Sequence, residues 1–464
     1  MNSNGVMKGW SIMGRNKWTF GIGTIGRDMV YSLVSMYLMF YMTDIIKVPT
    51  GVFAAITIFV VAARVFDALN DPFMGLVVDN TKTRFGKFKP WIAFGSLTTG
   101  ILTILMFAGF NLSWTAYSIV FCVLYLLWGM AYTTNDIAYW SMLPALSVDQ
   151  KEREKIGSIA RIFANVGLFF VVASIIPLTT AFGDRFGGPA RGYFVFTLIV
   201  VAVMWAGQLV TLLGVKDPRI TGAQKSTPIK ELLSVIIKND QLSFTAISMT
   251  LFMIGYMTTT SFGLYFFKYA YGDENMYPIF AVILGVSQIA ALAVFPLFSK
   301  RWNRKFLYTL AVALVFVGYV VFFFAPTNTM LFIGIAGTLL FIGQAFIQLL
   351  MLMFLADSVD YGHLKLGKRN DSISFSLQPF INKLSGAVGN GVVGLVIIIS
   401  GIKDAETAAD VSEGGLIMMK TAMLVFPLVC IVISFIIYRR KYIIDEKKHA
   451  EILHELQERG ELSL

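Results

Sequence analysis

Long apolar segments alternate with short polar connections along almost the whole chain. Each apolar segment has about 20 residues or more, the length that an α-helix needs to cross the hydrocarbon core of a membrane. We predict twelve membrane-spanning helices, at about 18–46, 51–78, 91–110, 114–142, 157–182, 192–214, 241–270, 276–299, 305–325, 328–357, 371–401 and 414–438. The pattern therefore predicts an all-α membrane protein.

The longest interior polar connection divides these helices six and six. We predict a cytoplasmic N-terminus (1–17), an N-terminal six-helix bundle (18–214), a central cytoplasmic loop (215–240), a C-terminal six-helix bundle (241–438) and a cytoplasmic tail (439–464), which is either helical or disordered. The tripeptide Ser-Val-Asp follows the fourth predicted helix at 147–149 and the tenth at 358–360. Two related halves are typical of transporters that bind their substrate near the middle of the membrane.

The number and positions of the charged residues make this prediction more specific. Only 14% of the residues are charged, whereas a soluble domain has roughly 25%, so a soluble enzyme is excluded. The net charge of +10 does not indicate nucleic-acid binding, because 28 Lys and Arg residues lie in the loops and termini on one side of the membrane and four in the loops on the other. Cytoplasmic loops carry such an excess. We therefore expect a multi-pass plasma-membrane protein, in contact with lipid, with both termini in the cytoplasm and no cofactor or enzyme activity.

Two carboxylates lie inside the second predicted helix. Asp67 and Asp71 are four residues apart and share one helical face with Asn70. Charged groups at membrane depth are costly and usually serve a function. With the hydroxyl of Thr133 on the fourth helix, these oxygen atoms are suited to hold Na⁺, and either carboxylate is also able to bind a proton. The structural alternative is a buried ion pair between Asp67 and Arg64.

A second set of polar residues predicts a sugar site. Asp28 and Asp136 are able to accept hydrogen bonds from sugar hydroxyls, and Arg27 and Arg161 are able to donate them. The two carboxylates have no evident structural need at membrane depth, which favours a role in binding.

Aromatic residues accompany this set. Tyr132 and Trp140 share a helical face with the acid at 136 and offer rings to the apolar face of a sugar. The alternative is that both rings only pack against other helices. Lys383, on the eleventh predicted helix, is able to balance the intramembrane acids electrostatically, and its contact with substrate is left open.

Four stretches carry a recognisable pattern. They are Gly26-Arg27-Asp28, Ala63-Arg64-Val65-Phe66-Asp67-Ala68-Leu69-Asn70-Asp71-Pro72-Phe73-Met74-Gly75, Arg84-Phe85-Gly86-Lys87-Phe88-Lys89-Pro90-Trp91 and Asp357-Ser358-Val359-Asp360-Tyr361-Gly362. These stretches resemble the glycoside–pentoside–hexuronide:cation symporters of the major facilitator superfamily, and the resemblance extends from about 16 to 455. It implies two pseudo-symmetric six-helix bundles and the cation-coupled import of a galactoside or related glycoside by alternating access.

The resemblance also implies roles for individual residues. The residues that match the cation site of the melibiose carriers are Asp67, Asn70, Asp71 and Thr133. Those that match the sugar site are Asp28, Arg27, Asp136, Trp140 and Arg161, and Lys383 matches a lysine between the two sites. Gln348 and Pro379 stand where the melibiose carriers have tryptophan and threonine, so the sugar itself stays open.

Other stretches resemble the lactose-transporter branch, which often carries a fused phosphotransferase-like regulatory domain. We expect no such domain here, and a separate cytoplasmic phosphotransferase protein is the expected regulatory partner of a monomeric transporter. The intact pair Asp67 and Asp71 favours sodium over a proton as the coupling ion. Transport of pentosides, hexuronides or lysolipids on the same fold, and sugar sensing without transport, are the alternatives.

Overall fold

A computed structural model describes residues 3–110, 112–147, 149–215, 232–273, 276–327, 329–402, 405 and 407–461. These residues are almost entirely helical, and none of them lies in a β-strand. Ten helices in this part of the chain are long and apolar enough to cross a membrane. The prediction of an all-α membrane protein is confirmed.

The chain divides into two compact units. Unit 1 comprises Met1–Leu232, Asn370–Pro379 and Gly460–Leu464, and unit 2 comprises Leu233–Arg369 and Phe380–Arg459. The helices up to residue 232 are α1 (Ser3–Phe40), α2 (Thr50–Asp79), α3 (Lys89–Met106), α4 (Trp114–Ser141), α5 (Leu143–Leu146), α6 (Gln150–Phe186) and α7 (Pro189–Gly214). Most of the predicted central loop lies outside the described residues, which resume at 232.

The second half of the chain continues the series. Its helices are α8 (Leu232–Lys238), α9 (Asp240–Tyr265), α10 (Met276–Arg301), α11 (Arg304–Phe324), α12 (Met330–Leu366), α13 (Asp371–Ile399), α14 (Glu413–Lys420), α15 (Phe426–Lys441) and α16 (Glu446–Glu458). In the described residues, three π-helical turns extend or join them, at Tyr41–Ile45 after α1, at Phe266–Tyr271 after α9, and at Thr421–Val425 between α14 and α15.

In unit 1, the N-terminal helix α1 packs against α6 and α7, while α4 packs against α2 and α3. A glycine explains how closely α1 approaches α7, since a Cβ atom on Gly26 would lie 2.2 Å from the Cα atom of Met204. Small residues allow such close helix packing in membranes. This contact fixes the part of α1 that carries Arg27 and Asp28, the two residues that follow Gly26.

In unit 2, α12 packs against α9, α10 and α11, and α9 also packs against α15. The tail forms α16, which contacts α12. Of the two structures expected for the tail, the helix is therefore the one observed.

The helices differ from the predicted spans in two respects. Several extend beyond the apolar run; α12, for example, continues to Leu366. The predicted spans 18–46 and 91–110 lie on α1 and α3, which are not among the ten helices that are apolar enough to span. The helix α1 carries Arg27 and Asp28, and α3 has only 18 residues, several of them Gly, Ser or Thr.

Candidate substrate and cation site

Three of the four predicted cation ligands, Asp67, Asp71 and Thr133, lie where α2 packs against α4. Asp67 and Asp71 are buried, and Asn70 is half-buried. The hydroxyl of Thr133 on α4 donates a hydrogen bond to Oδ1 of Asp71, with an oxygen–oxygen distance of 3.2 Å. The structure thus brings together a hydroxyl and a carboxylate that the sequence assigned to one site. Their role as cation ligands stays a prediction.

A glycine on α4 makes room for the other carboxylate. A Cβ atom on Gly129 would lie 2.4 Å from Oδ2 of Asp67, far inside the normal separation of non-bonded atoms. Gly129 and Thr133 are one helical turn apart on α4, as Asp67 and Asp71 are on α2. The two acids on α2 therefore face a glycine and a hydroxyl at the matching spacing on α4.

Arg27 on α1 joins the two acids of the predicted sugar set. Its side chain is 2% exposed. Its Nη1 atom lies 3.0 Å from Oδ1 of Asp136 on α4, and its Nη2 atom donates to Oδ2 of Asp28 at 3.4 Å. A buried charge is tolerated only when it is compensated, so Arg27 and the two acids hold one another. The carboxylate side chains remain 23% and 17% exposed, for Asp28 and Asp136, which leaves part of each for a ligand.

Trp140 lies between two guanidinium groups. The guanidinium carbon of Arg161 on α6 is 4.5 Å from the centroid of the indole ring, and that of Arg27 is 5.2 Å away. Cation–π contacts of this kind orient the arginine head group. Within the described part of the chain, the Nε atom of Arg161 is buried without a hydrogen-bond partner. Trp140 therefore positions Arg161 in this structure, and its contact with a sugar ring stays a prediction.

Tyr132 belongs to a stack of aromatic rings. Its ring stacks on that of Tyr31, with centroids 5.1 Å apart, and on that of Trp128, with centroids 5.4 Å apart. The stack continues along α4 to Tyr125, whose hydroxyl accepts a hydrogen bond from Nε of Arg64 at 3.5 Å. The alternative interpretation paired this arginine with the first acid of α2, and the structure shows that its Nε atom contacts the aromatic stack.

Lys383 belongs to a different unit from the other predicted site residues. It lies on α13 in unit 2, with a half-buried side chain, whereas the other ten lie in unit 1. Its electrostatic role and its contact with substrate both stay predictions.

A buried charge cluster in unit 1 was not found from the sequence, which treated Lys87 only as a loop charge. The Nζ atom of Lys87 lies 2.8 Å from a carboxylate oxygen of Asp79 and 2.8 Å from one of Asp371. The other oxygen of Asp79 accepts hydrogen bonds from the backbone N–H groups of Ser372 and Ile373. Burial alone would lower the pKa of Lys87, but Asp371 and Asp79 outweigh it and raise that pKa above its ordinary value of 10.5. The cluster ties the end of α2 to the first turn of α13.

A second such cluster lies in unit 2, where α12 ends. Arg304 pairs with Asp357, and Nη1 of Arg369 lies 2.7 Å from Oδ1 of Asp360. The Nε2 atom of His449, on α16, lies 2.9 Å from the other oxygen of Asp360. The tail helix is therefore attached to α12 through a buried polar contact. The acidic motif was visible in the sequence, but its partner 89 residues away was not.

Comparison with known proteins identifies the family to which this chain belongs. Residues 19–446 match the sequence model of the family described as MFS/sugar transport protein. A lactose permease of Leuconostoc lactis is 33% identical over 457 residues, which cover 95% of this chain and 71% of that protein. A raffinose carrier protein of Pediococcus pentosaceus is 31% identical over 454 residues, which cover 94% of this chain and 70% of that protein.

A solved structure shows the same fold. The crystal structure of FucP, a major facilitator superfamily transporter in the outward conformation, matches with a TM-score of 0.68 at 12% identity. The match covers 93% of this chain and 99% of that one. The recognition made from the four sequence stretches is confirmed at the level of the family. The chain is a multi-pass membrane transporter and belongs to the MFS/sugar transport protein family.

Proposed function

We propose that this protein is a sugar:cation symporter that imports a galactoside or related glycoside together with Na⁺ or H⁺ by alternating access. Two similar proteins are named a lactose permease and a raffinose carrier. Both of those sugars end in a galactosyl unit, which supports a galactoside as the substrate. The acids at 28 and 136 suit such a ligand, because carboxylates accept hydrogen bonds from adjacent sugar hydroxyls.

The observation that carries this proposal is that α4 contributes to both polar sets. Thr133 contacts the acid pair of α2 through Asp71. Asp136, three residues further along α4, contacts Arg27 of the sugar set. Residues three apart on a helix lie on neighbouring positions of one face. A cation that draws α2 and α4 together therefore acts on the turn of α4 that carries Asp136, a member of the sugar set.

This geometry suggests how the two ligands would be coupled. A cation bound by Asp67 and Asp71 neutralises negative charge beside α4 and fixes the position of Thr133. The adjacent turn then holds Asp136 in the place where it accepts from the sugar. Coupling between two sites is reciprocal, so bound sugar must raise the affinity for the cation by the same factor.

Uptake into membrane vesicles tests the proposal. Labelled lactose, melibiose, raffinose and a xyloside are offered under an inward Na⁺ gradient, an inward H⁺ gradient, both, or neither. We expect one of the two gradients to drive accumulation of at least one galactoside above its external concentration. Uptake that is indifferent to both gradients would contradict symport, and accumulation of the xyloside alone would contradict the galactoside assignment.

Replacing one acid separates coupling from sugar binding. In Asp71→Cys, the cation loses a carboxylate ligand, so concentrative uptake should be abolished while exchange of sugar across the membrane continues. The matched control is Asp184→Asn, because Asp184 is an exposed acid of the same unit on α6. If Asp71→Cys accumulates sugar as the wild type does, Asp71 is not a cation ligand.

The orientation is also part of the proposal. The excess of Lys and Arg on one set of loops supports cytoplasmic termini. A cysteine introduced at the exposed Lys447 of α16 should react with a membrane-impermeant thiol reagent in inverted vesicles and not in right-side-out ones.

A further inference from the structure

Helix α7 carries none of the predicted site residues, yet it joins the two helices that carry Arg27 and Asp136. In unit 1, α1 packs against α6 and α7, whereas α4 packs against α2 and α3, and the two groups meet where α3 packs against α7. Arg27 on α1 and Asp136 on α4 therefore belong to different groups of packed helices. The distance between their side chains depends on how these two groups are held together.

Gln208 of α7 forms hydrogen bonds with both α4 and α1. Its Oε1 atom accepts from Nδ2 of Asn135 at 3.0 Å, and its Nε2 atom donates to the backbone oxygen of Gly23 at 2.7 Å. The Nδ2 atom of Asn135 also donates to the backbone oxygen of Ile92 on α3 at 3.1 Å. Gln208 and Asn135 are each 1% exposed. A single buried side chain of α7 thus links α4 to α1.

A second link lies one helical turn away. The hydroxyl of Tyr139 on α4 donates to the backbone oxygen of Phe20 on α1 and lies 3.3 Å from Oγ1 of Thr211 on α7. Thr211 donates to the backbone oxygen of Thr19 on α1 at 2.8 Å. Both side chains are buried. The term polar ladder is used below for the four side chains that make these two links, Asn135, Gln208, Tyr139 and Thr211.

A glycine of α1 makes room for the polar ladder. A Cβ atom on Gly23 would lie 2.1 Å from Oγ1 of Thr211 and 2.5 Å from the hydroxyl oxygen of Tyr139. Polar groups of α4 and α7 therefore occupy the space that a side chain at this position would take. Small residues allow neighbouring helices to approach this closely in membranes.

The polar ladder lies beside the residues of the sugar set. Gly23 is one turn before Arg27 on α1, and Asn135 is the neighbour of Asp136 on α4. The guanidinium carbon of Arg27 lies 4.8 Å from the centroid of the Tyr139 ring, so one member of the ladder also contacts the arginine itself. Buried hydrogen bonds between helices hold those helices in one arrangement. The ladder therefore fixes the positions from which Arg27 and Asp136 meet.

We propose that Gln208 and Thr211 are positioning residues of the sugar site, which hold Arg27 and Asp136 at the separation that suits a sugar. This inference rests on the proposed sugar-transport function. Binding groups must be held within about 0.5 Å of their productive positions, and hydrogen bonds from surrounding residues provide that precision. An apolar side chain in this apolar helix would avoid the cost of burying an amide. The amide of Gln208 is therefore explained by its two bonds, to α4 and to α1.

Equilibrium sugar binding to the purified full-length protein tests this role. Gln208→Leu removes both bonds of the amide and keeps a side chain of similar size, so the affinity for lactose or raffinose should fall about tenfold. Thr211→Val removes only a hydroxyl, so the loss should be smaller, about threefold. Thr211→Val also gives the answer if Gln208→Leu does not fold.

The matched control is Trp205→Phe, about one turn before Gln208 on α7. It removes the hydrogen bond of 3.0 Å from Nε1 of Trp205 to the backbone oxygen of Ser96 on α3, a helix without a predicted site residue. This variant should have a lower thermal midpoint and the sugar affinity of the wild type. If Trp205→Phe loses as much sugar affinity as Gln208→Leu, the glutamine acts through general packing and the proposal is overturned.

A measurement without sugar separates this inference from the proposed function. Arg27→Lys removes the Nη1 atom that lies beside Asp136 and keeps the charge, and Asp136→Asn removes the acid. Their effects on the thermal midpoint should be non-additive in the wild-type background, because the two groups are in contact. With Gln208→Leu in the background, the two effects should become additive, because the pair is no longer held together.

The two measurements fail in different ways. Equal non-additivity of Arg27→Lys and Asp136→Asn with and without Gln208→Leu would overturn the positioning role, whatever the sugar affinities are. If the wild type binds no sugar while the coupling of the pair still depends on Gln208, the proposed function fails and α7 nevertheless positions Arg27 against Asp136.

Discussion

The charged residues of the candidate site in unit 1 differ from the buried glutamines of unit 2 in how their polar atoms are satisfied. In unit 1, Arg27 and Arg161 are held by two acids and by aromatic rings, so that charge is balanced before any ligand arrives. In unit 2, the Nε2 atoms of Gln288 and Gln344 are buried without a hydrogen-bond partner among the described residues. A buried charge must be compensated by the fold itself, whereas a neutral donor without a partner costs the fold less. The comparison predicts large effects on stability for changes at the charged site residues of unit 1 and small effects for changes at these two glutamines of unit 2.

The largest effect is expected for Arg27→Gln. It leaves Asp28 and Asp136 without their buried partner, and breaking such a pair typically costs about 3–5 kcal/mol. Sugar binding should be lost together with much of the thermal stability. The variant Arg27→Lys, which keeps the charge, should recover part of both.

Arg185→Gln is the control for this change, since Arg185 is an exposed arginine of the same unit. It should alter neither thermal unfolding nor sugar binding. A stable Arg27→Gln protein that binds sugar normally would remove the contrast between the two units.

The next effect concerns Gly129→Ala. The added methyl group would meet the carboxylate of Asp67, so α2 and α4 must separate or Asp67 must turn away. Overpacking of this kind costs about 1–3 kcal/mol. Ion-driven accumulation should fall much more than equilibrium sugar binding, as measured by uptake and by ligand titration.

Gly51→Ala is the matched control on α2, because a Cβ atom there meets no described atom within 4 Å. It should transport normally. Equal loss of sugar binding and of accumulation in Gly129→Ala would show that the glycine serves general packing and not the acid pair.

A smaller effect is expected for Arg161→Lys. The charge is kept, but the planar stacking on Trp140 is lost, a contact worth about 0.5–2 kcal/mol. Sugar affinity should fall between two- and thirtyfold with little change in thermal midpoint. Unchanged affinity would mean that Trp140 and Arg161 only pack.

The last prediction concerns the loss of the stabilisation given by Lys87 at alkaline pH, which should be absent near neutrality. The pKa of Lys87 is raised above 10.5 in the folded protein, so the stabilisation it gives is fully present below that pH and is lost only as the pH rises through the higher folded value. The deficit in stability of Lys87→Met relative to the wild type should therefore not become smaller as the pH rises from about 6 to 9. Removal of Lys87 leaves the buried carboxyls of Asp79 and Asp371 without their cation, so any protonation of these groups in the variant reduces the deficit only toward lower pH. Lys82→Met, at an exposed position of the same loop, should show no difference. A deficit that becomes smaller as the pH rises across this range would contradict the assignment of Lys87.

The sequence predicted the polar residues inside the apolar helices and missed the contacts of charged residues at the ends of helices. Asp67 and Asp71 were placed on one face by their spacing alone, and Thr133 was predicted as the hydroxyl that another helix adds to them. The contact of Lys87 with Asp371 joins residues 284 positions apart, and no spacing rule reaches that far. Gly129 was missed for the same reason, because its importance comes from what α2 places opposite it.

The repeated tripeptide gives a further lesson. Asp149 stands before α6 and caps it, accepting a hydrogen bond from the N–H group of Glu152 at 2.8 Å. Asp360 lies inside α12 and instead contacts Arg369 and His449. Identical residues at related positions therefore serve as a helix cap in one half and as an ion-pair partner in the other. The reason is that α4 ends before its copy of the tripeptide, whereas α12 continues through the second copy.

The π-helical turn at Thr421–Val425 has a consequence for how this protein tolerates changes in length. It lies between α14 and α15 and holds one residue more than an α-helical turn would. A deletion elsewhere in α15 would rotate every later side chain by about 100° and turn Cys430, Ser434 and Tyr438 off the buried face. A single deletion inside the turn lets the helix close in the ordinary α-form with both flanks in register. This helix therefore contains one position at which a residue can be lost while the same side chains stay buried.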